Sequence, residues 1–180
     1  MPQRYERLNQ YIRQKQPKCI VEIGTWNGLR ALTFLRLCPN AVYYGFDLFE
    51  DATPENDKIE FNNKKHNRMQ DVEERLTGYE AYLIKGNTRE TLVNFKPRLP
   101  VDFLWLDGGH SVDTIRSDWE KIKPHLAENA WVFFDDYFTG PIDTLKIGCN
   151  EVVKELKHEL VDEVDPVIGG GNTQIVRVYP

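Results

Sequence analysis

Cysteine is scarce in this sequence: Cys19, Cys38 and Cys149 are its three, odd in number and far apart. That spacing supplies neither a disulfide framework nor a zinc ligand set. It fits small core residues in a reducing compartment. No apolar run approaches the ~20 residues that a membrane helix needs, so no membrane partner is expected. The opening MPQRYERLNQYIRQKQPK lacks the apolar centre of a signal peptide, and a cytoplasmic protein is expected. Positive charge is also short, with 23 Lys and Arg against 28 Asp and Glu, a net charge of −5. Nucleic-acid binders usually carry a basic face, because neutralising phosphates supplies most of their nonspecific affinity. The basic cluster Lys64-Lys65-His66-Asn67-Arg68 is flanked by acids and reads as a solvated face, so no nucleic-acid partner is expected. Internal repeats and low-complexity tracts are absent.

What is present suits one globular domain spanning residues 1–180: 41% of the chain is apolar and 12% aromatic, enough for a real core. Tyr5, Leu8 and Ile12 share one face of a polar helix within residues 1–17 that Pro17 stops. Buried strands follow at Cys19–Ile23, Ala41–Phe46, Ala81–Lys85, Val101–Leu106 and Ala130–Phe134. Helical spacing separates them, through Ala31, Leu32 and Leu35, then Met69, Val72 and Leu76 up to Thr77-Gly78, then a short helix that Asn87 and Glu90 open as a capping box. The strongest amphipathic pattern starts at Ser111 and runs through Val112, Ile115, Trp119, Ile122 and Leu126. A last helix from about Ile147 to Leu160 precedes strands at Val161–Val167 and Gln174–Tyr179, joined through Gly169-Gly170-Gly171. Residues 48–67 are polar, with Pro54 and little periodicity, and read as an inserted cover or lid.

Strands that are continuously apolar and alternate with helices argue for an α/β fold: a Rossmann-like, doubly wound, mostly parallel sheet with helices on both faces. Such sheets bind ligands beyond the carboxyl ends of their strands. Glu22, Asp47, Asp107, Asp135 and Asp136 all fall at or beside such ends. The stretch Glu22-Ile23-Gly24-Thr25-Trp26-Asn27-Gly28 is a glycine turn from strand to helix. Trp26 and Asn27 occupy the middle, where a dinucleotide fingerprint needs glycine to approach a pyrophosphate. A nucleoside without phosphates fits better, and a tight turn that binds nothing stays open. Asp47, closing the second strand, can accept both hydrogen bonds of a ribose diol.

The run Val21–Gly28, then Asp47, Lys85-Gly86-Asn87-Thr88, Phe103–His110 and Phe133–Tyr137 resembles the class I S-adenosylmethionine-dependent methyltransferases. Within that class it is most similar to small-molecule O-methyltransferases of the catechol and macrolide-sugar type. The resemblance covers about residues 18–180 and implies seven strands, the last antiparallel. It implies that Gly24 and Gly28 shape the loop around the methionine part of S-adenosylmethionine, with Glu22 supporting that loop and Thr25 and Trp26 among the cofactor-binding residues. By the same resemblance Asp47 holds the ribose, Leu48, Asn87 and Thr88 flank the adenine, and Asp107 lies near the ammonium group. Arg30 stands where a small hydroxyl residue is common; it pairs with the cofactor carboxylate or points to solvent.

Three carboxylates gathered at neighbouring strand ends repel one another unless a proton or cation intervenes. Oxygen-only ligation by Asp107, Asp135 and Asp136 suits a divalent cation such as Mg²⁺ or Mn²⁺. Metal-dependent relatives of the resembled type carry two aspartates and an asparagine there, and Asp136 replaces the asparagine. His110, three residues after Asp107, is the candidate base, with Asp107 beside it as the second catalytic candidate. The expected reaction is methyl transfer to a hydroxyl of a small molecule, a phenol or a sugar. A chain of this length, without extra N-terminal helices, suggests that the substrate is capped by a second copy in a homodimer or left partly open. Other readings stay open: a non-catalytic cofactor-binding module, a metal-dependent hydroxylase, or a nicotinamide-dependent oxidoreductase, against which Trp26 speaks.

Overall fold

The computed structural model describes residues 5–167 and 170–180. Seven strands form one sheet: β1 (Cys19–Ile23), β2 (Val42–Asp47), β3 (Ala81–Lys85), β4 (Val101–Leu106), β5 (Leu126–Thr139), β6 (Lys157–Pro166) and β7 (Asn172–Tyr179). Their order is β3-β2-β1-β4-β5-β7-β6. The first five run parallel, and β7 is antiparallel to both β5 and β6. The order reverses direction between β1 and β4, so the crevice beyond their carboxyl ends is the topological switch point.

Both faces of the sheet are covered, which is why the central strands read as unbroken apolar runs. On one face α1 (Glu6–Lys15) and α2 (Leu29–Leu37) bury Leu8, Ile12, Phe34 and Leu35 against Ile20, Tyr43, Trp105 and Phe133. On the other, α6 (Val112–Ile122) and α7 (Asn150–Val153) bury Ile115, Trp119, Ile122 and Val153 against Val21, Leu104 and Val132. Ser111 caps α6 by accepting the Thr114 N–H. α1 ends on Gln16 in the left-handed region, just before Pro17. All three cysteines are buried free thiols. Among the described residues no helix is long and apolar enough to cross a membrane.

Four expectations are corrected. The helix from Ile147 to Leu160 shrinks to the four residues of α7, and the chain from Lys157 onward is β6, extending upstream of the expected Val161 start. There, pairing with β7 overrides a pattern of helical appearance. β5 does not end at Asp135-Asp136 but continues to Thr139 through a bulge, where the register with β7 shifts and Asp136 takes φ 58°. Residues 48–67 contain α3 (Pro54–Ile59), opened by a reciprocal capping box between Thr53 and Asn56. Asn87 opens α5 (Thr88–Thr91) by accepting the Arg89 N–H rather than through a box with Glu90. Of the expected glycine link between the last two strands, Gly169 lies outside the described residues.

Candidate active site

β1 runs into Gly24 at φ +95°, and a Cβ built there would lie 1.9 Å from the carbonyl oxygen of Asp107 at the end of β4. Glycine is therefore what allows the two strand ends to meet backbone to backbone. Gly24 and Thr25 both donate N–H bonds to the Phe46 carbonyl, at 2.8 and 3.2 Å, which ties the turn to β2. Asp47 completes the tie: its carboxylate accepts the Trp26 N–H and the Phe49 N–H, each at 2.7 Å. Each carboxylate oxygen keeps a further lone pair for a ligand. At the head of α2, Gly28 lies against Val72 of α4 (Met69–Arg75), with no room for a side chain.

Below this turn Glu22 is buried at 1% exposure and accepts the Tyr43 hydroxyl hydrogen. Burial pushes its carboxyl up to about 8, against the pull of Tyr43 and Arg30. Arg30 stacks on the Tyr5 ring at 3.7 Å and donates to Asn9. Its desolvation lowers its pKa, opposed by Tyr5 and by the charges of Glu22, Asp107 and Asp135.

A cavity of about 350 Å³ opens at the switch point. Of the residues anticipated from sequence, Gly24, Trp26, Asp47 and Leu48 line one part of its wall, and Asn87, Thr88, Asp107 and His110 another. Glu22, Thr25, Gly28 and Arg30 stand behind that wall. Ile23, Phe46 and Ile59 add apolar surface.

Residues 56–66 supply a further side of the cavity, its roof. Glu60, just past α3, reaches across: its carboxylate accepts the Ser111 N–H at 2.9 Å and the Thr114 hydroxyl at 2.6 Å, and its carbonyl accepts from His110 Nδ1 at 2.8 Å. At the other side the Trp26 indole donates to the Lys65 carbonyl at 2.9 Å. His66 and Asp57 pair at 2.7 Å, joined by Asn62, and all three face the cavity. Asp57, Glu60 and Asn62 were not singled out from sequence, and His66, read there as part of a solvated face, instead pairs with Asp57 and lines the cavity. The Thr53-Pro54 helix start was a legible signal for α3, while the contacts its residues make across the cavity left none. Also missed was Asp118 on α6, although Thr114 and Asp118 sit four apart beside the apolar stripe. Asp118 is 2% exposed and its carboxyl is pushed up to about 7 by burial.

Because a carbonyl only accepts, His110 carries a proton on Nδ1, and its Nε2 faces Asp136 Oδ2 at 3.4 Å. Asp135 accepts the Tyr5 hydroxyl at 3.2 Å and the Asp136 N–H at 2.8 Å. Asp107, Asp135 and Asp136 border one small void of about 10 Å³ that adjoins the main cavity, the two sharing Asp107, Gly108, Gly109 and Asp118. Among the described residues, no three His, Cys, Asp or Glu side chains are placed to hold a metal ion.

A sheet of this order, with a glycine turn, a strand-end acid and a nucleoside-sized cavity at its switch point, has the architecture of a class I S-adenosylmethionine-dependent methyltransferase. The chain belongs to the methyltransferase domain family, whose model matches residues 21–137. Among solved structures it is similar to the O-methyltransferase TomG of Streptomyces achromogenes, involved in tomaymycin synthesis and solved with S-adenosylmethionine. The TM-score is 0.63 at 14% identity, covering 95% of this chain and 77% of that one. It is similar also to the methyltransferase PaMTH1 of Podospora anserina, bound to S-adenosylhomocysteine, at TM-score 0.60 and 16% identity over 97% of this chain and 79% of that one. A third likeness is to CalS11, a TDP-rhamnose 3'-O-methyltransferase of calicheamicin biosynthesis, at TM-score 0.62 and 18% identity over 94% and 77% of the two chains. At these identities the likeness is one of fold. No curated protein matches the sequence.

Proposed function

We propose that the protein transfers the methyl group of S-adenosylmethionine to a hydroxyl of a small molecule, a phenol or a sugar. The observation that carries this reading is the roofed cavity in which the glycine turn, Asp47 and His110 share one wall. Its volume suits one nucleoside-sized ligand, its apolar residues suit a base, and Asp47 keeps lone pairs for a ribose diol. When bound, the donor supplies a sulfonium methyl group as electrophile.

The chain's own residues bind and orient. Gly24 and Trp26 follow the methionine part, Leu48, Asn87 and Thr88 flank the base, and Asp107 takes the ammonium group. Glu22 and Arg30 brace the turn from behind. His110, with its Nδ1 proton committed to Glu60, offers Nε2 to the proton of the acceptor hydroxyl, and Asp136 at 3.4 Å stabilises the imidazolium that results. Holding the two reactants together supplies the larger share of the rate.

A second reading adds a divalent cation, Mg²⁺ or Mn²⁺, at Asp107, Asp135 and Asp136. The void that these three border favours it, and their oxygen donors suit such an ion. As the carboxylates stand they do not converge, and no step is assigned to the ion. A cytoplasmic site of action belongs to the same proposal, supported by three buried free thiols.

Calorimetry with S-adenosylhomocysteine, followed by transfer of labelled methyl to catechol and to TDP-rhamnose, tests the reading. Binding together with labelling of either acceptor is the expected result. Absence of nucleoside binding overturns it. A chelator that abolishes transfer, restored by Mg²⁺ or Mn²⁺, would select the metal-assisted form.

A further inference from the structure

Among the described residues, the Asp118 Oδ1 is the one buried side-chain polar atom lining the cavity that has no hydrogen-bond partner. Asp118 lies on the buried face of α6, is 2% exposed, and borders both the main cavity and the small void beside it. Thr114, one helical turn earlier on the same face, gives its hydroxyl to Glu60 and is satisfied. A buried carboxyl oxygen without a donor is costly to keep, and native proteins rarely leave one unmatched. The charged groups facing it are Glu60 from the roof, Arg89 from α5 and Lys121 from its own helix, while the Thr88 hydroxyl approaches from α5.

Position along the cavity decides what the missing donor is. Asp47 stands between the glycine turn and the Gly86–Arg89 segment, and α5 packs against α6 at the end where Thr88 and Asp118 meet. A nucleoside with its ribose on Asp47 and its amino-acid arm on the glycine turn turns its base toward that end. The group such a base presents at its edge is an exocyclic amine, an N–H donor. We infer that Asp118 reads the base of the methyl donor, its carboxyl accepting a hydrogen from the exocyclic amine. This rests on the donor reading given above and adds to it a residue that sets base specificity.

The test compares two ligands, S-adenosylhomocysteine and its 6-deamino purine analogue, by calorimetry on the full chain. The wild type is expected to prefer the amine-bearing ligand by about threefold to tenfold, the range of a hydrogen bond between uncharged groups. Asp118→Leu, similar in shape without an acceptor, is expected to lose that preference by weakening the amine-bearing ligand while leaving the analogue within about twofold. Asp118→Asn retains an acceptor and is expected to keep most of the preference. An unchanged ratio in Asp118→Leu, or equal weakening of both ligands, overturns the inference and leaves the donor reading standing. Should Asp118→Leu fail to fold, a wild-type ratio near one, or complete loss of preference in Asp118→Asn, overturns it equally. A wild type that binds neither ligand overturns the donor reading and this inference with it.

Discussion

Glu22 shows how a single buried carboxyl sets a pH dependence for the whole molecule. Its pKa rises from 4.5 to about 8 on folding, so between those values the folded chain holds a proton that the unfolded chain has released. Stability therefore falls as pH rises across that window, by at most ~1.4 kcal/mol per pH unit for one group. Asp118, raised from 3.8 to about 7, acts in the same direction over a lower window. Thermal unfolding of Glu22→Gln followed from pH 5 to pH 8 should show a flatter profile than the wild type. Gly24→Ala is a harsher change: with φ at +95° and the Asp107 carbonyl 1.9 Å from the added carbon, it should destabilise the fold by about 1–3 kcal/mol and abolish nucleoside binding. His110→Gln tests the proposed proton acceptor. We expect kcat to fall by about 10²–10⁴ with little change in KM for the donor, and a variant with full kcat would remove His110 from the chemistry.

At the scale of elements, the roof over the cavity is held to α6 and its preceding loop by one residue. Glu60 spends its carboxylate on Ser111 and Thr114 and its carbonyl on His110, while α3 itself buries no side chain. Glu60→Ala should free residues 54–66 without unfolding the sheet. The expected signs are faster amide exchange confined to that segment and dissociation of S-adenosylhomocysteine faster by about tenfold, the cost of roughly one charged hydrogen bond. Unchanged exchange would show that the Trp26 indole bond to Lys65 suffices to hold the roof. The same scale separates what the sequence could convey from what it could not. β1, β2, β4 and the centre of β5 were legible because burial on both faces writes apolar runs into them, and the acids at their ends were legible as breaks in those runs. β3, a partly buried edge strand, was legible from its short apolar run alone. The first half of β6 was not, because an edge strand such as Lys157-His158-Glu159-Leu160 carries charges that protect the edge and read like a helix face.

For the molecule as a whole, the site was half legible. Gly24, Asp47 and Asp107 were found because each terminates a strand, and strand order brings their ends together. Asp57, Glu60 and His66 reach the same cavity from an insertion whose position no local pattern encodes. Asp118 was hidden as one polar residue on an otherwise apolar helix. Distant parts of the chain converge on the cavity, so its integrity is a property of the assembled sheet rather than of any one motif. Unfolding monitored by the Trp26 resonance in fluorine NMR of fluorotryptophan-labelled protein and by far-ultraviolet circular dichroism should report this directly: the two transitions should coincide in the wild type and separate in Glu60→Ala.

On the methyl-transfer reading, the roof pinned by Glu60 and by the Trp26 indole acts as a door and imposes an itinerary. The spent thioether has to leave by the route through which the fresh sulfonium enters, so each turnover waits for the door twice. A rapid first round of product followed by a slower steady rate, with the slow phase lengthened in viscous solvent, is the kinetic signature such an enclosure carries.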